Sequence, residues 1–134
     1  GIESRPIIRR GQTALSMAVQ AATAAMQAEG LTLDDLTGIV CHTTTPPLNT
    51  PSMACMLLRE LDPDAKHELM VYDVNAACSG WLYAIDTAYH SILTQPHKAV
   101  LVLTRATQMV MVSLIMYLMM KVVFMMQAIT IWVM

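Results

Sequence analysis

Apolar and polar positions alternate with two different periods along the first hundred residues. From Thr13 to Glu29, Leu15, Ala18, Val19, Ala22, Ala25 and Met26 fall on one stripe at helical spacing, and Gly30 follows as a stop. Thr32-Leu33-Asp34-Asp35 has the pattern of a short capped turn. The run from Gly38 to Thr44 is a buried-strand pattern, and Pro46 to Pro51 is a loop whose last proline suits a first helical position. The helix this opens runs to Leu61 and breaks at Asp62-Pro63-Asp64. Leu69 to Val74 predicts a second strand, Ala77 to Leu93 a helix ended by Gln95-Pro96, and Ala99 to Thr104 a third strand. That third strand is apolar on both faces, as a central parallel strand must be. The order α-β-α-β-α-β predicts an α/β layered fold with a mostly parallel sheet.

The pattern stops near residue 106. Of the 18 charged residues, 17 lie in residues 1–106, and only Lys121 lies beyond. Eight of the 13 methionines fall in residues 107–134. Between Met109 and Met134, only Ser113, Lys121, Gln127 and Thr130 are not apolar. The chain therefore divides into a globular segment, 1–106, and an anomalous apolar, Met-rich tail, 107–134. The tail is long enough to span a bilayer, for which about 20 apolar residues suffice. A charged Lys121 near its centre costs about 2.5–3.5 kcal/mol on insertion scales. In a truncated domain it is instead an apolar patch that invites aggregation.

A shifted reading frame also explains the tail. Displaced by one base, the codons of Met119, Met120 and Lys121 yield Asp, then Glu, then Gly or Ser once Val122 is included. The same displacement of Phe124 to Ala128 yields Tyr or His, Asp, Ala, and Gly or Ser. Asp-rich coding sequence becomes Met-rich in this way, and the expectation is that 107–134 is frame-shifted or non-native.

Composition removes several functions. The net charge is −2 and the pI about 6.0, with no basic stripe for nucleic acid or anionic lipid. Three cysteines make no disulfide framework and suit a reducing, cytoplasmic compartment. No cysteine pair has metal-ligand spacing, and the five glycines are not arranged as a phosphate loop. No metal is expected.

One place carries chemistry. Asp73-Val-Asn-Ala-Ala-Cys-Ser-Gly80 ends a strand and opens a helix, so Cys78 lies near a helix N-terminus. Unpaired amides and the positive dipole end favour a thiolate there. The carboxyl end of a strand is also where open α/β sheets bind ligands. By position alone, a lone cysteine is more often core filler than a functional group.

Three segments match a known family in order. Gly1-Ile-Glu-Ser-Arg5, then Thr43-Thr-Thr with Pro51-Ser-Met-Ala-Cys55, then Asp73 to Ala84 resemble segments of β-ketoacyl-ACP synthase III, over residues 1 to about 104. The resemblance implies a thiolase-like fold, layered α-β-α-β-α, with only part of its N-terminal half present. It implies that Cys78 is the acyl-accepting nucleophile, its backbone amide helping to form an oxyanion hole. It implies no permanently bound cofactor. It further implies acyl-CoA and malonyl-ACP as substrates, acyl carrier protein as a partner, and a homodimer for the full-length parent. Thr50 falls in the loop that reaches the acyl pocket across that dimer. The family's first strand would precede Gly1, and its catalytic His and Asn lie in a second half, so neither is in this chain. His42, His67, His90 and His97 match neither in context and are expected as solvent-facing, strand or helix-end residues.

The fragment is therefore expected not to complete condensation. Related alternatives are a hydroxymethylglutaryl-CoA synthase or a type III polyketide synthase. A different alternative is a non-catalytic, truncated or membrane-inserted relic. Cys41 and Cys55 are expected in the core and Trp81 and Tyr83 as packing residues. Asp34, Asp35, Asp62 and Asp64 are expected at turns or helix ends.

Overall fold

The computed structural model describes residues 10–95, 98–106, 109–116 and 126–127, with side chains for 10–95 and 98–104. The first helix, α1 (Ala14–Glu29), is bounded by local chemistry at both ends. The Thr13 hydroxyl accepts the Ser16 N–H at 3.0 Å, and the Ser16 hydroxyl accepts the Thr13 N–H at 2.9 Å. Gly30 closes the helix at φ 65°, where a side chain is strained, and its N–H caps the last turn. The buried face is Met17, Ala18, Ala21, Ala22, Ala25 and Met26. The predicted Leu15 and Val19 sit half-buried beside it. In the following turn Asp35 accepts both the N–H and the hydroxyl of Thr32 at 2.8 Å.

Strand β1 (Leu36–Thr43) leads through a loop to α2 (Met53–Leu61), then to β2 (Met70–Val74). Helix α3 (Gly80–Leu93) precedes β3 (Ala99–Ala106). The sheet order is β2-β1-β3-β4-β5, where β4 is Met109–Met116 and β5 is Met126–Gln127. Strands β2, β1 and β3 are mutually parallel, and β4 and β5 add antiparallel. The predicted alternation is thus observed, except that β3 has a parallel neighbour on one side only. The Met-rich segment supplies its other neighbour, β4. No helix among the described residues is long and apolar enough to cross a membrane.

Side-chain alternation along β1 and β3 makes two cores. Ile39, Cys41, Leu101 and Leu103 pack under α1 and α2 with Met53, Ala54 and Leu57. Val40, Val100 and Val102 pack on the opposite face against Ala84, Ala88 and Ile92 of α3. The described layers are therefore helices, sheet, helix, part of the thiolase-like layering.

Three expectations about packing are corrected. Cys55 is exposed, because α2 buries Met53, Ala54 and Leu57 and turns Cys55 outward. Tyr83 is 57 % exposed, because α3 buries Gly80, Ala84, Ala88 and Ile92 at four-residue steps. Pro51 does not open α2: the helix begins at Met53, with Ser52 accepting the Cys55 N–H at 3.2 Å, and the Thr50–Pro51 bond is cis.

The loop after α2 is tied down by Asp62. Burial pushes its carboxyl up, but the His67 and Lys66 backbone N–H groups and the His67 ring outweigh this and hold it below the ordinary value of 3.8. The His67 N–H donates at 2.8 Å, and the imidazole lies 3.1 Å from Asp62 and 3.4 Å from Asp34. A lowered carboxyl pKa means that the folded state holds the proton less tightly than the unfolded chain. The stability it contributes is complete above the ordinary value and is lost as pH falls through the folded value. Asp62→Asn should therefore flatten the acid limb of the stability profile below about pH 4, read by urea unfolding at stepped pH. An unchanged acid limb would contradict this.

Candidate active site

Parallel strands β1, β2 and β3 present their carboxyl ends together, and the chain around Cys78 leaves from one of them. After Val74 the backbone makes a single 3-10 turn, Ala77–Ser79, before α3 begins at Gly80. The Ser79 N–H donates to the Ala76 carbonyl at 3.1 Å, and the Gly80 N–H to that of Ala77. Ala77 adopts φ 45°, the left-handed region that a residue with a Cβ rarely occupies. Such a conformation costs about 1–3 kcal/mol and persists only where the surroundings enforce it. The result is an exposed Cys78 at the tip of a strained turn between strand and helix.

Two side chains, neither given a role from the sequence, anchor this region. Asp73 accepts the Met53 N–H at 2.7 Å and the Ala54 N–H at 2.9 Å, one with each carboxylate oxygen. It closes the N-terminus of α2, a helix with no acidic residue in its own first turn. The second is His42, expected at the surface or at a strand end. It lies near the end of β1 and is only 5 % exposed, with Gly80 at the start of α3 packed directly against its ring. Its Nδ1 lies 3.0 Å from the Val74 carbonyl, so Nδ1 carries the proton and donates.

The remaining sequence candidates are dispersed. Thr50 is exposed in the loop between β1 and α2, at the same end of the sheet as Cys78, two residues before the α2 cap that Asp73 adjoins. Cys41 is buried in the sheet, as expected. Burial, then neighbouring Asp73 and Cys55, push its thiol far above the ordinary cysteine range, which leaves it inert. Trp81 is half-buried, His90 is exposed on α3, and His97 lies outside the described residues. Asp34 and Asp35 form the turn before β1, and Asp62 caps the end of α2, as predicted. Among the described residues no cluster of His, Cys, Asp and Glu could hold a metal ion. A cleft of about 550 Å³ lies at the opposite, amino end of the strands, lined by Thr37, Glu68, Ser91 and Lys98 among others. It does not adjoin the cysteine turn.

The sheet is flanked by helices on both faces and carries a cysteine on a strand-to-helix turn, and its superposition on solved condensing enzymes assigns the fold to the thiolase-like class. Residues 72–112 match the family model described as 3-Oxoacyl-[acyl-carrier-protein (ACP)] synthase III. The chain is 37 % identical over 101 residues to beta-ketoacyl-[acyl-carrier-protein] synthase III of Nitratidesulfovibrio vulgaris, covering 75 % of this chain and 30 % of the relative. The crystal structure of 3-oxoacyl-[acyl-carrier-protein] synthase III from Aquifex aeolicus VF5 superposes with a TM-score of 0.65 at 37 % identity, covering 75 % of this chain and 31 % of that one. The priming beta-ketosynthase of the R1128 polyketide biosynthetic pathway gives 0.67 at 28 % identity, covering 78 % and 30 %. Over the matched residues the chain is similar to β-ketoacyl-ACP synthase III enzymes, and it spans about 30 % of the length of the curated relatives it matches.

The geometry separates the three thiols. Iodoacetamide should label Cys78 and Cys55 in the native chain and Cys41 only after unfolding, as read by peptide mass mapping. Native labelling of Cys41 would mean that β1 is not packed as described.

Proposed function

We propose that this chain carries the acyl-accepting part of a β-ketoacyl-ACP synthase III-type condensing enzyme, with Cys78 as nucleophile. The single observation that carries the reading is the exposed Cys78 on its strained turn at the carboxyl end of the parallel strands, inside the segment that matches the family. The Cys78 sulfur attacks the thioester carbonyl of an acyl-CoA. The Cys78 amide steadies the tetrahedral oxyanion, and the coenzyme thiol leaves with the proton that the cysteine gives up. In the family reaction, malonyl-ACP then loses carbon dioxide and its carbanion attacks the acyl-cysteine, giving 3-oxoacyl-ACP. The matched residues span only the part of the relatives' length that carries Cys78, so the first half-reaction is the one assigned to them here. Thr50 is proposed to border the acyl pocket, contributed across a homodimer of the whole enzyme. No bound cofactor takes part. The setting is the cytoplasm, in fatty-acid or polyketide synthesis.

Incubation with acetyl-CoA should add one acetyl group to Cys78, and Cys78→Ala should abolish the gain, both read by intact-protein and peptide mass spectrometry. With malonyl-ACP added, no 3-oxoacyl product should form. No acetylation, or condensed product from this chain alone, would overturn the respective half of the reading.

The division at residues 106 and 107 belongs to the same proposal. The family match ends at residue 112, and the apolar, Met-rich composition holds from there to Met134. The proposed origin of 107–134 is a coding sequence displaced by one base. Re-reading the DNA from the Val100 codon onward should reveal one inserted or deleted base whose correction restores an Asp- and Gly-containing segment. An intact frame would instead favour a genuine apolar tail.

A further inference from the structure

We propose that His42 is a positioning residue for the Cys78 turn, bracing it at both of its ends. The inference rests on the reading of Cys78 as the reactive group and assigns a residue that supports it.

The first contact is at the start of the turn. His42 and Val74 are register partners on β1 and β2, and the imidazole Nδ1–H reaches the Val74 carbonyl at 3.0 Å. Val74 is the last residue of β2, and its carbonyl is the last acceptor before the chain leaves the sheet. The second contact is at the end of the turn. A Cβ at Gly80 would come within 2.1 Å of His42 Nδ1, 2.2 Å of Cε1 and 2.8 Å of Cγ, and these three ring atoms are its nearest neighbours. The imidazole therefore fills the volume that a side chain at position 80 would need, and α3 starts directly against it. Between the two contacts lie only residues 75–79, which include the left-handed Ala77 and Cys78. A non-glycine residue at φ 45° needs fixed neighbours on both sides. His42 touches both: a hydrogen bond holds the carbonyl side, and a close-packed ring holds the helix side. A nearly buried imidazole is an expensive way to fill space that leucine would fill better, unless its donor is used.

The test separates bracing from filling. The readout is the rate at which iodoacetamide alkylates Cys78 relative to exposed Cys55 in the same chain. Buried Cys41 serves as the internal check on folding. His42→Leu retains bulk and loses the donor. It should lower the Cys78 to Cys55 ratio by about threefold or more. His42→Asn retains an N–H donor close to the Nδ1 position and should restore the ratio to within about twofold of the parent. Gly80→Ala should lower the ratio, and His42→Asn added to Gly80→Ala should recover part of the loss, because the smaller side chain makes room for the new Cβ and still donates to the Val74 carbonyl. If His42→Leu unfolds the chain and exposes Cys41, His42→Val replaces it under the same criterion.

A ratio unchanged by His42→Leu would overturn the proposal, as would a double variant no better than Gly80→Ala. Acetyl transfer from acetyl-CoA is scored separately on the parent chain. Absence of transfer with a ratio that responds to position 42 removes the enzymatic reading and leaves the brace standing. Transfer with an unresponsive ratio does the reverse.

Discussion

The parallel register between β1 and β2 sets the geometry of everything at the carboxyl end of the sheet. Cys41 lies opposite Asp73 and His42 opposite Val74. Because successive side chains point to opposite faces, that alignment sends Asp73 toward the amides of α2 and sets His42 beneath α3. Slipping the pairing by one residue would exchange the faces. A carboxylate would then lie under an apolar helix, and α2 would lose the acceptor at its start. Both costs oppose slippage, so the polar contacts and the apolar alternation of Ile39, Val40, Leu101 and Val102 specify the same alignment.

The elements were legible where local chemistry repeats a known pattern. The Thr13 cap, the Gly30 stop, the Thr32 turn and the breaks around Asp62 appear in the sequence as they do in the fold, because each depends on residues within a few positions of one another. The strands were legible from their apolar runs, and so was the parallel neighbour of β3. What escaped depends on long-range contacts. That Cys55 faces out and Met53 in follows from how α2 is rotated on the sheet. The same holds for Tyr83 on α3. Ala77 in the left-handed region has no sequence signature, since alanine is not the residue that normally marks it. The roles of Asp73 and His42 were hidden for the same reason: their partners are 19 to 32 residues away.

The two anchors act on different parts of the candidate site. Asp73 ties the start of α2, and with it the end of the loop that carries Thr50, to the last turn of β2. His42 ties the other side of β2 to α3. The cysteine turn is thus held between two helices that do not share a face of the sheet, each fastened by one polar side chain from neighbouring strands. Rigid elements around a short strained segment give a nucleophile a fixed direction of attack, which loops alone do not provide.

The strand order has a consequence for how the chain is made. The inner edges of β1 are filled by β2, 27 residues later, and by β3, 56 residues later than the end of β1 at Thr43. At ordinary rates of translation, about 5–20 residues per second, the second edge therefore stays open for several seconds after β1 has left the ribosome. Through that interval an apolar strand with Ile39, Val40 and Cys41 has unpaired backbone groups along one side. Synthesis, rather than the finished fold, is the moment at which this sheet is most exposed to pairing with the wrong chain.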